Sequence, residues 1–203
     1  MRRLTLFVAL ALLAVTAAAH ASSVLLVGER DATLEDMLVR AGFTVCTGCG
    51  FYDVVIVNGD ASIDASDLEQ FIARGGNVAL IGGAPYYLAG GQDLSSIEDW
   101  FGAWWYTNEP RCTYATAALD RPFGSCLNLG DIVAWSSCSW DGAAAIMSLE
   151  ASASVVASWN SGRTFAFVHE YGRGRVYYQS QLGYGPCARD MFVDAVRWLA
   201  WQR

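Results

Sequence analysis

Three groups of residues have types and spacings that could do chemistry. The first is "CTGC", Cys46 to Cys49, a spacing shared by redox dithiols and by half of a tetrahedral zinc site. A redox dithiol needs its first Cys at a helix N-terminus, where the dipole lowers the thiol pKa. Here Gly50-Phe51-Tyr52 and a strand-like run follow, and no second Cys pair or paired His completes a zinc set. The second group is His169-Glu170, which holds the only His after residue 21. Neighbours on a strand point to opposite faces, so the two do not act together on one substrate, and the His reads as structural or solvent-facing. The third group consists of polar residues just past strand-like runs: Glu29, Asp31, Asn58, Asp60, Tyr86, Tyr87, Gln179, Gln181 and Tyr184. Carboxylates, amides and tyrosines gathered in one place suit a polyhydroxylated ligand. Local roles compete with that reading, since Asp31 can cap a helix and Asn58-Gly59 can form a turn. Two of the carboxyls at a suitable separation would instead do general acid/base work.

Those residues matter only if the chain brings the ends of its strands together. "SVLLVG", "YDVVIVN" and "NVALIGG" are short apolar runs, as expected of strands covered on both faces, and "FTVC" adds a further short strand. Between them lie two helical patterns. One has Asp31 as its cap and Leu34, Met37, Leu38 and Ala41 on one face; the other, "DASDLEQFIARGG", turns Leu68, Phe71 and Ile72 inward. This alternation predicts an α/β fold with a mostly parallel, flavodoxin-like sheet flanked by helices. "LSSIEDWFGAWWY" reads as a helix ending near Gly102, with Trp100 and Trp104 four apart. From about residue 105 to 147 the pattern breaks into an irregular, Cys-bearing insertion. "SVVASWN", "TFAFVHEYG" and "GRVYYQSQLG" restore strands with hairpin signals at "NSGR" and "YGRGR". A closing helix from Arg189 to Trp201 places Phe192, Val193, Val196 and Leu199 on one face, with Trp198 and Trp201 three apart. Helical spacing makes core packing the reading for these Trp, whereas Trp135 and Trp140 either line a groove or cover the sheet.

Composition narrows the setting. Residues 1–21 show the charged, apolar and A-x-A pattern of a cleaved export signal, with the cut expected after Ala21. The apolar stretch is shorter than a membrane span, and none is expected after cleavage. Residues 22–203 then form one domain in a secreted or periplasmic protein. All 13 basic residues are Arg, and losing Arg2 and Arg3 takes the net charge from −7 to −9. An acidic chain without a basic run has no electrostatic footprint for nucleic acid. The six Cys, at 46, 49, 112, 126, 138 and 187, read as structural disulfides in an exported chain. Six Cys allow 15 pairings; at least two of Cys112, Cys126 and Cys138 are expected to pair with each other. Glu98, Asp99 and Asp141 have no metal-ligand spacing, and neither metal nor cofactor is expected.

The order of elements resembles the class I glutamine amidotransferase-like superfamily, in particular its ThuA-like (trehalose-utilisation) branch. "YDVVIVN", "RGGNVALIGG", "EYGRGRVYYQSQLGYG" and "FVDAVRWLAW" carry the resemblance, which leaves out the Cys-bearing middle. The resemblance implies a nucleophilic Cys on the turn after Asn77–Ile81, served by a downstream His and Glu. That turn here reads Gly82-Gly83-Ala84-Pro85, with no Cys or Ser. Many ThuA-like proteins carry a His just after the last Leu-Gly, where this chain has Tyr184. The functional expectation is an exported, disulfide-stabilised, non-catalytic binding or interaction module for carbohydrate or another envelope component. The alternative is a ThuA-like sugar-processing enzyme or a hydrolase using Glu29, Asp31 or Asp60.

Overall fold

A computed structural model describes residues 22–46, 48, 50–109, 113–136, 143–182 and 187–201. The 1–21 segment, Cys49, Cys112, Cys138, Trp140, Asp141 and Tyr184 therefore lie outside the described residues. Five strands form a parallel half-sheet: β1 (Ser23–Gly28), β2 (Thr44–Cys46), β3 (Val54–Asn58), β4 (Asn77–Ile81) and β11 (Gly174–Gln179). Their order is β2-β1-β3-β4-β11, a doubly wound arrangement.

The uniform apolar runs follow from burial on both faces. Val24, Ile56, Ala79 and Tyr177 point to one layer, which holds Leu34 and Leu38 of α1 (Ala32–Arg40) and Phe192 and Val196 of α5 (Ala188–Ala200). Val55, Val78, Leu80 and Tyr178 point to the other, with Leu68 and Ile72 of α2 (Ala65–Ala73). Alternate residues thus feed two cores, the expected geometry of a strand. Asp31 caps α1, accepting from the Thr33 and Leu34 amides at 2.8 and 3.3 Å, and Asp64 caps α2 through the Ser66 amide at 2.8 Å.

The rest of the sheet is antiparallel, so the sheet is mixed rather than mostly parallel. β10 (Thr164–Tyr171) returns from β11 through the two-residue turn Gly172-Arg173. β9 (Ser154–Trp159), β6 (Tyr114–Ala117) and β7 (Ile132–Trp135) continue outward from β10. β8 (Ala143–Leu149) pairs with β10 and with β5 (Ala103–Glu109), bringing the total to eleven strands. The expected irregular insertion is therefore largely stranded. Its signal is hidden by register shifts between Ala103, Trp105 and Tyr106, which leave both Trp104 and Trp105 exposed and destroy the two-residue alternation. Glu109, at the end of β5, is buried with Arg163 3.6 Å from its carboxylate.

Two helical expectations are also corrected. α3 (Ala84–Ala89) follows the Gly82-Gly83 turn, and α4 is only Glu98–Phe101, so Trp104 sits on β5 and not on a helix. Gly102 ends α4 at φ 85°, and a Cβ there would lie 2.6 Å from His169 Cγ. On α5, Phe192, Val193, Val196 and Leu199 are all buried, but Trp201 lies past the helix end and is 78% exposed. Chain polarity at that end is set by Asn77, whose side chain donates to the Leu199 carbonyl at 2.8 Å and accepts from the Arg175 amide at 3.1 Å. Cys126 pairs with Cys187, tying the loop after the Pro122–Gly124 turn to the start of α5. Cys46 is also disulfide-bonded. The expectation of a pair within the middle segment therefore falls on Cys112 and Cys138.

Candidate functional site

In an open α/β sheet the carboxyl ends of the strands face a crevice that no helix fills. Here β1, β3, β4 and β11 all end at one edge, and a cleft of about 280 Å³ opens there between α1 and α5. Asp31 enters it from the N-terminal cap of α1, Asn58 from the end of β3, Gln181 from just past β11 and Arg189 from the first turn of α5. Ile81 and Gly82 form part of the wall, with Leu34, Met37 and Leu182 supplying apolar surface.

Each polar group in the cleft is already oriented by the fold. Asn58 Nδ2 donates to the Glu29 carbonyl at 3.1 Å, and Gln181 Nε2 donates to the Trp135 carbonyl at 2.6 Å. The Ser180 hydroxyl, on the cleft wall, donates to the Ala144 carbonyl. Fixing an amide through one N–H leaves its oxygen and second N–H aimed in a defined direction, the arrangement that recognises hydroxyl groups. Asp31 and Arg189 bring opposite charges, so the cleft has no strong net charge of its own.

The sequence-derived candidates separate into three places. Asp31, Asn58 and Gln181 meet at the cleft. Glu29 and Asp60 are exposed beside it and are not among its lining residues. Gln179 is fully buried: the Tyr177 hydroxyl donates to its Oε1, and its Nε2 donates to the carbonyls of Gln181 and Ala188 at 2.8 and 3.1 Å. It joins β11 to α5 and presents nothing to a ligand, because its position in the two-sided strand points it inward. Tyr86 and Tyr87, both exposed on α3, pack on each other and around Tyr106, with centroids 5.5 Å apart for the first pair and 5.6 Å for Tyr86–Tyr106. They form a separate tyrosine cluster beneath the Gly82-Gly83 turn. Burial, with Tyr87 and Tyr86 adding smaller effects, pushes the Tyr106 hydroxyl up to about 12.

Arg189 joins the cleft without having been singled out by sequence reasoning. A signal for it exists: the strand-end rule, applied to the helix that follows β11, brings the first turn of that helix to the same edge.

The other chemistry-bearing groups are structural. His169 is buried, with Nε2 3.2 Å from the Asp99 carbonyl and Nδ1 3.4 Å from the Ser152 hydroxyl, so its ring joins α4 to β10. Glu170 is on the opposite face and exposed. Glu98 shares a hydrogen bond with Glu150, and that bond holds its carboxyl above the ordinary range. Cys126, Cys187 and Asp190 lie within 4.8 Å of one another, but the two sulfurs are bonded to each other and offer no thiolate. No helix among the described residues is long and apolar enough to cross a membrane.

No protein-family model matches the chain, and no curated protein matches it in sequence. Solved structures do match. A cytoplasmic protein from Salmonella typhimurium aligns with TM-score 0.63 at 12% identity, over 89% of this chain and 100% of its own. A putative GMP synthase glutamine-type component from Thermoplasma acidophilum aligns at 0.58 and 14% identity, over 88% of this chain and 96% of its own. A putative ThuA-like protein from Parabacteroides merdae aligns at 0.58 and 13% identity, over 89% of this chain and 90% of its own. At such identities the likeness speaks for architecture alone, and the architecture of this chain is the glutamine amidotransferase-like, ThuA-like fold.

Proposed function

We propose that this chain is an exported binding module built on an amidotransferase-like fold without its nucleophile, and that its strand-end cleft takes a neutral, polyhydroxylated ligand of carbohydrate type. The observation that carries the reading is the convergence of Asp31, Asn58, Gln181 and Arg189 on one cleft with both amides already fixed by the backbone. Preorganised amides lose little freedom on binding. An aromatic face stands next to them: Trp135, 46% exposed and packed on Tyr114 at 5.6 Å, is the residue whose carbonyl holds Gln181. Such a ring can cover the apolar face of a sugar. The cleft volume of about 280 Å³ suits a group of monosaccharide size.

Absence of catalysis rests on side chains. The turn after β4 offers Gly82, Gly83, Ala84 and Pro85. Asp31 is the only carboxylate among the lining residues, and its oxygen is engaged as a helix cap, so no acid/base pair faces the cleft. Export rests on the N-terminal charged, apolar and A-x-A pattern, and the Cys126–Cys187 disulfide agrees with an oxidising compartment. The partner would be a free sugar or a carbohydrate of the cell envelope.

The test is a thermal-shift screen of the oxidised protein against neutral sugars. A ligand at about 100 times its Kd raises the melting temperature of a domain this size by roughly 5–10 °C. The shift is expected to disappear in Gln181→Ala, which leaves the core untouched. No shift with any sugar, or a shift that survives Gln181→Ala, overturns the assignment.

A further inference from the structure

At the opposite end of the parallel strands, where β4 and β11 begin, a second cavity of about 550 Å³ is enclosed by the β10–β11 turn and the end of α2. Three guanidinium groups from separate elements line it: Arg74 after α2, Arg173 in the turn and Arg175 on β11. Glu170 is the single carboxylate among its lining residues, and the exposed indole of Trp201 stands at its rim. The cavity thus carries an excess of positive charge on a chain whose net charge is −7.

Arg175 is built into the wall. Its side chain is 12% exposed, lies 4.7 Å over the Trp198 ring, donates to the Trp198 carbonyl at 3.2 Å and sits 3.8 Å from the Glu170 carboxylate. Arg74 has only a neutral partner among the described residues, the Gln70 amide oxygen at 3.2 Å. Arg173 has no hydrogen bond or ion pair among the described residues. Helix capping explains part of this set, because cations are favoured at helix C-termini and both α2 and α5 end here. It does not explain Arg173, which belongs to no helix. That residue is held over the cavity because Gly174 is pressed against the carbonyls of Gly76 and Ile72 and Gly172 against Ala73.

We propose that this cavity binds the phosphate group of a phosphate monoester, with Arg173 and Arg74 as the guanidinium clamp. Each guanidinium presents a planar fork of donors that matches paired oxygens. A phosphate monoester carries about −1.5 to −2 at neutral pH, matching the surplus of two guanidinium groups over the one carboxylate. Arg175 supplies fixed positive potential from the wall, and Trp201 covers a flat or apolar group carrying the ester. The site is independent of the strand-end cleft.

Isothermal titration calorimetry of the whole protein at low ionic strength tests this, with inorganic phosphate, phenyl phosphate and phenyl glucoside as probes; surface charge is least screened there. Phenyl phosphate is expected to bind more tightly than inorganic phosphate, and phenyl glucoside not to bind at this site. Arg173→Gln weakens both phosphates by roughly tenfold or more, the value of one charge-assisted contact. Trp201→Ala weakens phenyl phosphate alone. Arg173→Gln changes an exposed turn residue, so its melting temperature is expected to stay at the parent value, and Gln181→Ala at the far cleft leaves phosphate binding unchanged. Equal affinity for inorganic and phenyl phosphate marks free phosphate as the ligand and overturns the ester. Absence of phosphate binding, or binding indifferent to Arg173→Gln, overturns the site and leaves the arginines as helix caps.

Discussion

Replacing Gly174 with Ala would separate the β10–β11 turn from α2. A Cβ built on Gly174 falls 2.1 Å from the Gly76 carbonyl oxygen and 2.4 Å from the Ile72 carbonyl oxygen, both backbone atoms that no side-chain rotation can clear. Ordinary contact begins at 3.4 Å, so the turn and the helix end must part by more than 1 Å. The start of β11 runs directly from this turn, where Arg175 pairs with Asn77 of β4. The displacement therefore loads the sheet and not just a loop. Overpacking of this kind costs about 1–3 kcal/mol, and two backbone clashes put the expected loss near 3 kcal/mol. That corresponds to a fall in melting temperature of roughly 6–12 °C. Opposing it is the stiffening of the unfolded chain, which favours Ala by about 0.4–1 kcal/mol wherever the native conformation accepts it. Gly91 isolates that opposing effect, since a Cβ there meets nothing within 4 Å. Urea denaturation of the two variants should move in opposite directions, Gly174→Ala down and Gly91→Ala level or slightly up. A Gly174→Ala protein as stable as the parent would refute the close-packing argument, and with it the mechanism that holds Arg173 over the cavity.

The Cys126–Cys187 bridge closes a sequence separation of 61 residues, for which chain entropy predicts up to roughly 4 kcal/mol. The double Cys→Ser variant is expected to lose about 2–4 kcal/mol, and non-reducing peptide mapping of the parent should recover these two Cys as one linked peptide pair. Tyr106 makes stability fall with alkaline pH: its folded value, raised to about 12 mainly by burial, exceeds the ordinary 10.0, so the unfolded chain ionises first. Stability from this residue is complete below pH 10 and lost between about pH 10 and 12, with a steepest slope near 1.4 kcal/mol per pH unit. Urea midpoints measured across that range should decline less in Tyr106→Phe than in the parent.

Much of the α/β framework was legible in the residues, because local rules govern it. β1, β3 and β4 show as unbroken apolar runs since both faces are covered, and the Asp31 and Asp64 caps mark where α1 and α2 begin. The hairpin at Gly172-Arg173 and the buried face of α5 follow from turn chemistry and helical period in the same way. Asp31, Asn58 and Gln181 were recoverable as neighbours because the strand-end rule turns topology into proximity.

What the residues alone could not determine depends on contacts between distant segments. Strand direction is one case: β10, β9, β6 and β7 join the parallel half antiparallel, a choice made by pairing and not by propensity. The strands β5 and β8 were invisible because a bulge at Trp105 and an Ala-rich partner erase alternation until the two lie side by side. Gln179 looked like a ligand contact and is enclosed, since only the arrival of α5 supplies the Ala188 carbonyl that takes its amide. The partner of Cys126 and the gathering of Arg74, Arg173 and Arg175 are of the same kind. Periodicity, caps and turns are properties of a few consecutive residues and can be read along the chain, whereas register, burial and charge convergence arise when remote segments share space, so only the tertiary structure decides them.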